Sequence, residues 1–236
     1  MVTTSLGLPL TIVGALMFGL WTLAYIAIIR QAYKDKTYGI PIVDGCLNIS
    51  WEFVFSFNLA GHLSNGLEWG NRFWLIFDAL SVTTYFLYGR QQQTIPWIKK
   101  HYYPILIASL IVCGIGQYQF MLYFQDDYGV VSSLLMDVLM AALFIGLFFK
   151  RPDMRGLSYA GAWLMMLGNI FGFIFIHFWF PTQYANGHMI SHPEWPEPVS
   201  FHFLTTLYVA TTVMNVIYVY LMWDRRRTLR ATSAPA

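Results

Sequence analysis

The stretch Ile42-Val-Asp44-Gly-Cys-Leu-Asn48-Ile-Ser-Trp51-Glu52-Phe-Val-Phe-Ser-Phe57 is apolar enough for a membrane helix, yet it carries polar groups at a fixed interval. Asp44, Asn48 and Glu52 are four apart, so a helix stacks them on one face. A carboxyl in hydrocarbon is costly unless it is neutral, hydrogen-bonded or turned to an internal cavity. Glu52 is therefore read as a working group, with a polar clamp between helices as the structural alternative.

The surroundings of that stretch define the class. The 236 residues are 57% hydrophobic, 18% aromatic and 11% charged, whereas a soluble domain carries about 25% charged residues. Seven apolar stretches run Leu10–Ile29, Ile42–Ala60, Phe73–Tyr88, Tyr103–Phe124, Val130–Phe149, Leu157–Trp179 and Phe201–Trp223. Most are near the ~20 residues that cross a bilayer. The expectation is an all-α integral membrane protein, one seven-helix domain over residues 1–236.

Charge placement orients it. With the amino end outside, 13 of the 14 basic residues fall on the inner side and only Arg72 falls outside. That bias predicts an outer amino terminus and a cytoplasmic carboxyl terminus. The basic loops act as orientation signals and lipid headgroup contacts, and no nucleic-acid partner is implied. No cleavable leader is expected, since the first stretch lacks a basic start and runs straight into Arg30, Lys34 and Lys36. Cys46 and Cys113 read as small packing residues.

Beside Glu52, the carboxylates Asp44, Asp78 and Asp137 fall within or at the edge of stretches. Asp44 is close enough to the inner boundary to reach water, whereas Asp78 and Asp137 are deep. Asn48, Asn169, His202, Thr205, Thr212 and Asn215 supply amide, imidazole and hydroxyl partners for one interior cavity. Mid-stretch aromatics, among them Trp21, Tyr25, Trp51 and Trp163, are candidate walls. Aromatic faces stabilise a cation by up to ~2 kcal/mol each when water is excluded. An acid amid such walls suits carbocation chemistry; helix packing is the plain alternative.

Other chemistries lack their residues. All five lysines sit in loops or at stretch ends, so the seventh stretch offers none for a retinal Schiff base. His188 and His192 have helical metal-ligand spacing but lie in a Pro-rich outer loop, a lid or a plain connector, ahead of Pro193. Asp126-Asp127 has no further acids at the interval a diphosphate-ionising magnesium site needs. No metal and no cofactor are expected. Tyr38 precedes Asn48 by ten residues, and Tyr159 precedes Asn169 by ten, a faint sign of a three-plus-one-plus-three repeat.

Trp21-Thr-x-x-Tyr25, then Tyr33-Lys-Asp35-Lys-Thr37-Tyr38-Gly39-Ile, then Cys46-Leu-Asn48-Ile-Ser-Trp51-Glu52-Phe-Val, resembles the small membrane-bound terpene cyclases of fungal meroterpenoid and indole-diterpene pathways, whose bacterial relatives act on prenylated indoles. Phe73-Trp-x-x-x-Asp78, Ala142-Leu-Phe-Ile and Met166-Leu-Gly168 add to it, so that the resemblance covers most of the chain. Its most specific part is Asn-x-x-Trp-Glu preceded by Asp-x-Thr-Tyr-Gly.

The resemblance implies a metal-independent cyclase in which Glu52 protonates an epoxide or terminal alkene of a lipophilic prenylated substrate. This is isomerase- or lyase-type chemistry that does not ionise a diphosphate. The substrate enters laterally from the bilayer, the plasma membrane in a bacterium or the endoplasmic reticulum in a fungus. One departure stands out. The family's second carboxylate lies in the seventh span, in Asp-x-x-Tyr, where this chain has Asn215-Val-Ile-Tyr218; its fifth span offers Asn where this chain has Asp137. A reciprocal exchange would keep one carboxylate and one amide in the cavity. The expected catalytic set is Glu52, Asp137 and Asn215, with Asn48, Trp51, Asp78, Trp21, Tyr25, Trp163 and Asn169 around the substrate. Asp137 or Asp78 would replenish the proton. Two other classes fit the topology: a proton-coupled small-solute carrier of three-plus-one-plus-three type, and a receptor-like scaffold that leaves the buried acids unexplained.

Overall fold

A computed structural model of the chain describes residues 7–57, 59, 65–124, 126, 128–185 and 201–233. These residues form helices and no strands: α1 (Leu8–Lys34), α2 (Ile42–Ser56), α3 (Asn65–Tyr88), the short α4 (Pro96–Lys100), α5 (Tyr102–Phe124), α6 (Val130–Lys150), α7 (Tyr159–Ala185) and α8 (Phe201–Ser233). A 3-10 turn, Gly89–Gln92, links α3 to α4.

The long helices follow the seven apolar stretches but differ at their ends. α3 begins at Asn65 rather than Phe73, and α8 runs on to Ser233, well past Trp223. α2 stops at Ser56 instead of Ala60. Five helices among the described residues are long and apolar enough to cross a membrane, namely α1, α5, α6, α7 and α8. α2 is short, 15 residues, or ~22 Å at the usual helical rise. α3 carries Glu68, Arg72 and Asp78. Exposed side chains such as Ile12 and Leu23 on α1, Ile111 and Val112 on α5, and Val213 and Ile217 on α8 give the outer surface its apolar character, the reverse of a water-soluble bundle.

Helix pairing explains why α2 holds polar groups. α1 packs on α7 and α3, α2 on α3, α5 and α6, and α8 on α6 and α7, closing a ring with α5 outside α2. α2 is therefore covered on several sides, and Asp44, Gly45, Cys46, Asn48, Ser50, Glu52, Val54, Phe55 and Ser56 are all buried. At Gly45 a Cβ would overlap the Tyr85 hydroxyl, so glycine is what lets α3 approach this closely. The pairing repeats when α1–α3 are exchanged for α6–α8: the third helix of each half contacts the first two, and the first helix of each half contacts the second of the other. A parallel repeat produces this pattern. The matched Tyr38 and Tyr159 each lie under a guanidinium, Arg151 at 4.3 Å and Arg226 at 5.0 Å from the ring centroid.

The α1–α2 and α6–α7 loops are locked together through Asp-x-Thr-Tyr-Gly. Arg151 donates from Nη1 to the Tyr38 carbonyl (2.6 Å) and the Arg155 carbonyl (3.0 Å), and from Nη2 to Thr37 Oγ1 (3.0 Å). Asp35 accepts the Gly156 amide at 2.7 Å and Gln31 Nε2 at 2.6 Å, while Arg155 Nε donates to the Asp35 carbonyl at 2.8 Å. Gly156 sits at φ 76°, where glycine alone is unstrained, and a Cβ there would run into Arg151 and the Tyr38 carbonyl. The Asp-x-Thr-Tyr-Gly run that precedes Asn-x-x-Trp-Glu is thus a brace between the α1–α2 and α6–α7 loops. Arg151→Ala should destabilise the fold by about 3 kcal/mol, the upper end for one bond to a charged donor, because Thr37 Oγ1 is left buried while the Tyr38 and Arg155 carbonyls are part-buried and can turn to water. Thermal unfolding in detergent tests this, with Arg151→Lys recovering less than half because lysine has no fork.

Candidate active site

Glu52, Asp78 and Tyr25 meet inside the ring from α2, α3 and α1. Glu52 is 6% exposed and Asp78 1%. Tyr25 Oη donates to Asp78 Oδ1 at 2.8 Å. That bond leaves Asp78 Oδ2 and Glu52 Oε2 buried with no hydrogen-bond partner among the described residues. α3, which carries Asp78, packs directly on α2, which carries Glu52. Tyr25 packs against Trp21 (ring centroids 6.2 Å apart) and Phe77 (5.9 Å).

Beside this group is a cavity of ≈ 10 Å³ bordered by Trp21 and Tyr25 of α1, Asn48 of α2, Met140 and Phe144 of α6, and Met165 of α7. That volume suits roughly one water, so a prenyl chain enters only if side chains move. Met140 and Met165, unbranched and flexible, are the walls best able to give way. An open groove of ≈ 700 Å³ lies elsewhere, between Gln31, Arg155, Tyr159 and Arg226, and none of Asp44, Glu52, Asp78 and Asp137 lines it.

The remaining expected residues separate. Asp137 is half-buried in α6 and does not border the cavity. Asn215 is 1% exposed in α8, and neither its Oδ1 nor its Nδ2 has a partner among the described residues. Asn169 is buried in α7 but does not border the cavity. Trp163 is 41% exposed, on the outer face of α7, because its position in the helix turns it away from α1 and α8. Trp51 is a strut, not a free wall. Its Nε1 donates to Ser132 Oγ at 2.9 Å, and its ring packs on Phe55 and against Gly129.

One carboxylate differs from its sequence reading. Asp44 does not reach water; it is 0% exposed, enclosed because α2 is covered by α3 and α6. Asp126 is 1% exposed and caps α6, with Oδ1 accepting the Val131 amide (3.1 Å) and Oδ2 the Ser132 amide (2.8 Å) and hydroxyl (2.6 Å). Asp127, His188, His192 and the Pro-rich stretch after Ala185 lie outside the described residues.

Fold and site together define a helical membrane protein whose interior keeps several carboxyls among aromatic walls. The chain belongs to the Pyr4-like transmembrane terpene cyclases, whose family model matches residues 9–228. Pyr4-family terpene cyclase mfmH of Annulohypoxylon moriforme is 26% identical over 211 residues, 87% of this chain and 83% of the relative. Terpene cyclase pyr4 of Aspergillus fumigatus is 26% identical over 226 residues, 88% and 83% of the two chains. Terpene cyclase macJ of Penicillium terrestre is 27% identical over 171 residues, 68% and 65%. No solved structure matches the chain.

Proposed function

We propose that this chain cyclises a prenylated indole or meroterpenoid precursor inside the bilayer, with Glu52 as the proton donor and without a metal. One observation carries the reading: Glu52 on α2, and Asp78 held by Tyr25 on the packed helix α3, are both buried and each keep a carboxyl oxygen with no hydrogen-bond partner among the described residues. All seven long helices then cross the membrane with the amino end outside, α3 turning Ile76, Leu80 and Leu87 to the lipid.

The geometry performs the reaction as follows. Neutral Glu52 gives its proton to an epoxide oxygen, whose C–O bond breaks with the electron pair staying on oxygen as hydroxyl, or to a terminal alkene carbon. Successive alkenes close carbon–carbon bonds, and Trp21 and Tyr25 face the travelling cation. Proton loss from the last cation gives a product isomeric with the substrate. Asp137 takes that proton, while Asn215 and Asn48 orient polar groups of substrate and acid. A proton-coupled carrier would move such a substrate through proteoliposomes with its structure unchanged, so NMR of the recovered compound separates the two readings.

Tyr25 has a measurable share in this arrangement. Tyr25→Phe removes the donor that fixes Asp78 and should lower cyclisation about tenfold, with KM little changed, a loss of ~1.4 kcal/mol in transition-state stabilisation. Steady-state kinetics of the variant check this.

A further inference from the structure

The cavity beside Tyr25 has a direction that the reaction just described does not use. Asn48 borders it, and Glu52 is the next residue on that face of α2, ~6 Å farther from the braced loops at 1.5 Å per residue. On α1 the border runs from Trp21 past Tyr25 to Ile28, toward those same loops. Ile40 closes it where the chain leaves the brace for α2. The cavity therefore extends from near the level of the acid toward the brace and ends there.

Its floor is fixed, and so are most of its walls. Ile28 and Ile40 are 5% and 4% exposed. Ile28 is seated on Gly39 of the brace and Gly161 of α7, and a Cβ on either glycine would overlap it. Trp21 sits against Gly168 of α7 in the same way, and Phe144 packs on Tyr218 with ring centroids 5.5 Å apart. Tyr25 is tied to Asp78. That leaves Met140 and Met165, on α6 and α7, as the adaptable walls. Asn48 apart, and with the Tyr25 hydroxyl engaged, the lining is apolar. It suits a hydrocarbon group and not the polar core of a substrate.

We infer that this pocket is a blind seat for the terminal isoprenyl unit of the substrate, and that Met140 and Met165 limit how far the chain passes Glu52. The inference rests on the cyclase reading and adds which double bond is protonated. With the last unit stopped by Ile28 and Ile40, Glu52 meets the terminal alkene or epoxide, and the indole or phenol lies toward the opposite end of the bundle. Shortening either methionine enlarges the seat. The terminal unit turns into the space released, and the next alkene comes up to the acid. A proton then adds to that internal alkene, leaving a tertiary cation that closes onto the alkene on the core side. Proton loss gives an isomer with one ring fewer and the terminal unit unreacted.

NMR of the products tests the seat, in nanodiscs carrying wild type, Met165→Ala, Met140→Ala or Met165→Leu. The substrates are linear farnesylated and geranylgeranylated indoles, with and without a terminal epoxide. Wild type should react at the terminal unit whatever the chain length. In either alanine variant the ratio of product keeping its terminal unit to product consuming it should rise at least about tenfold, the low end of what one methylene is worth in a hydrophobic pocket. Met165→Leu, close in volume, should keep the wild-type mixture. The two alanine variants stand on different helices, so misfolding of one leaves the other to decide. A wild-type mixture in both, a loss of turnover with the ring count unchanged, or wild-type product that keeps its terminal unit overturns the seat. If the wild type cyclises none of these indoles, the cyclase reading on them is lost, and the seat with it.

Discussion

Membranes carrying Glu52→Gln should form cyclised product ~10²- to 10⁴-fold more slowly than wild type, the range spanned by a positioned general acid. The amide matches the acid in size, and Oε2 accepts no hydrogen bond among the described residues. Folding should therefore be unaffected, and the variant should accumulate and unfold like the parent. What it loses is a proton acidic enough to open an epoxide or add to an alkene. Turnover at the wild-type rate would remove Glu52 from its role.

The second large effect should fall on Asp78. Asp78 is fully buried on α3, the helix packed on α2 beside Glu52, whereas Asp137 is half-buried on α6. Asp78→Asn breaks the path by which Glu52 is reprotonated and alters the acceptor that Tyr25 holds at 2.8 Å. Steady-state turnover should drop about 100-fold. Asp137→Asn acts at the other end of the reaction. It should slow turnover less and change which proton the last cation loses, so the product mixture shifts toward isomers differing in alkene position. Gas chromatography with mass spectrometry of the products separates the two effects. If Asp137→Asn gave the larger loss with an unchanged mixture, the roles of the two acids would have to be exchanged.

Much of this was legible in the chain. A bilayer allows few solutions for backbone hydrogen bonds, so long apolar runs become helices, and a lone glutamate inside one marks itself. Partnerships across helices were not legible. That α3, with Asp78, packs directly on α2, with Glu52, depends on Gly45, which leaves room for Tyr85. Asp44 looked like a boundary residue because only sequence distance from a loop was visible, while its burial comes from α3 and α6. Tryptophans in apolar helices also read alike, whether they line a cavity as Trp21 does, brace two helices as Trp51 does, or face outward as Trp163 does. Asp-x-Thr-Tyr-Gly was visible as part of the family resemblance, but not its partner Arg151, 113 residues from Tyr38, with which it braces the loops.

The central claim is tested most directly by incubating membranes containing this protein, with EDTA present, with linear farnesylated and geranylgeranylated indoles and phenols, each with and without a terminal epoxide. Mass spectrometry and NMR should show a product of unchanged mass with new rings, absent from Glu52→Gln membranes. Substrate recovered unchanged across the panel, or ring closure that proceeds equally well with Glu52→Gln, would contradict the account.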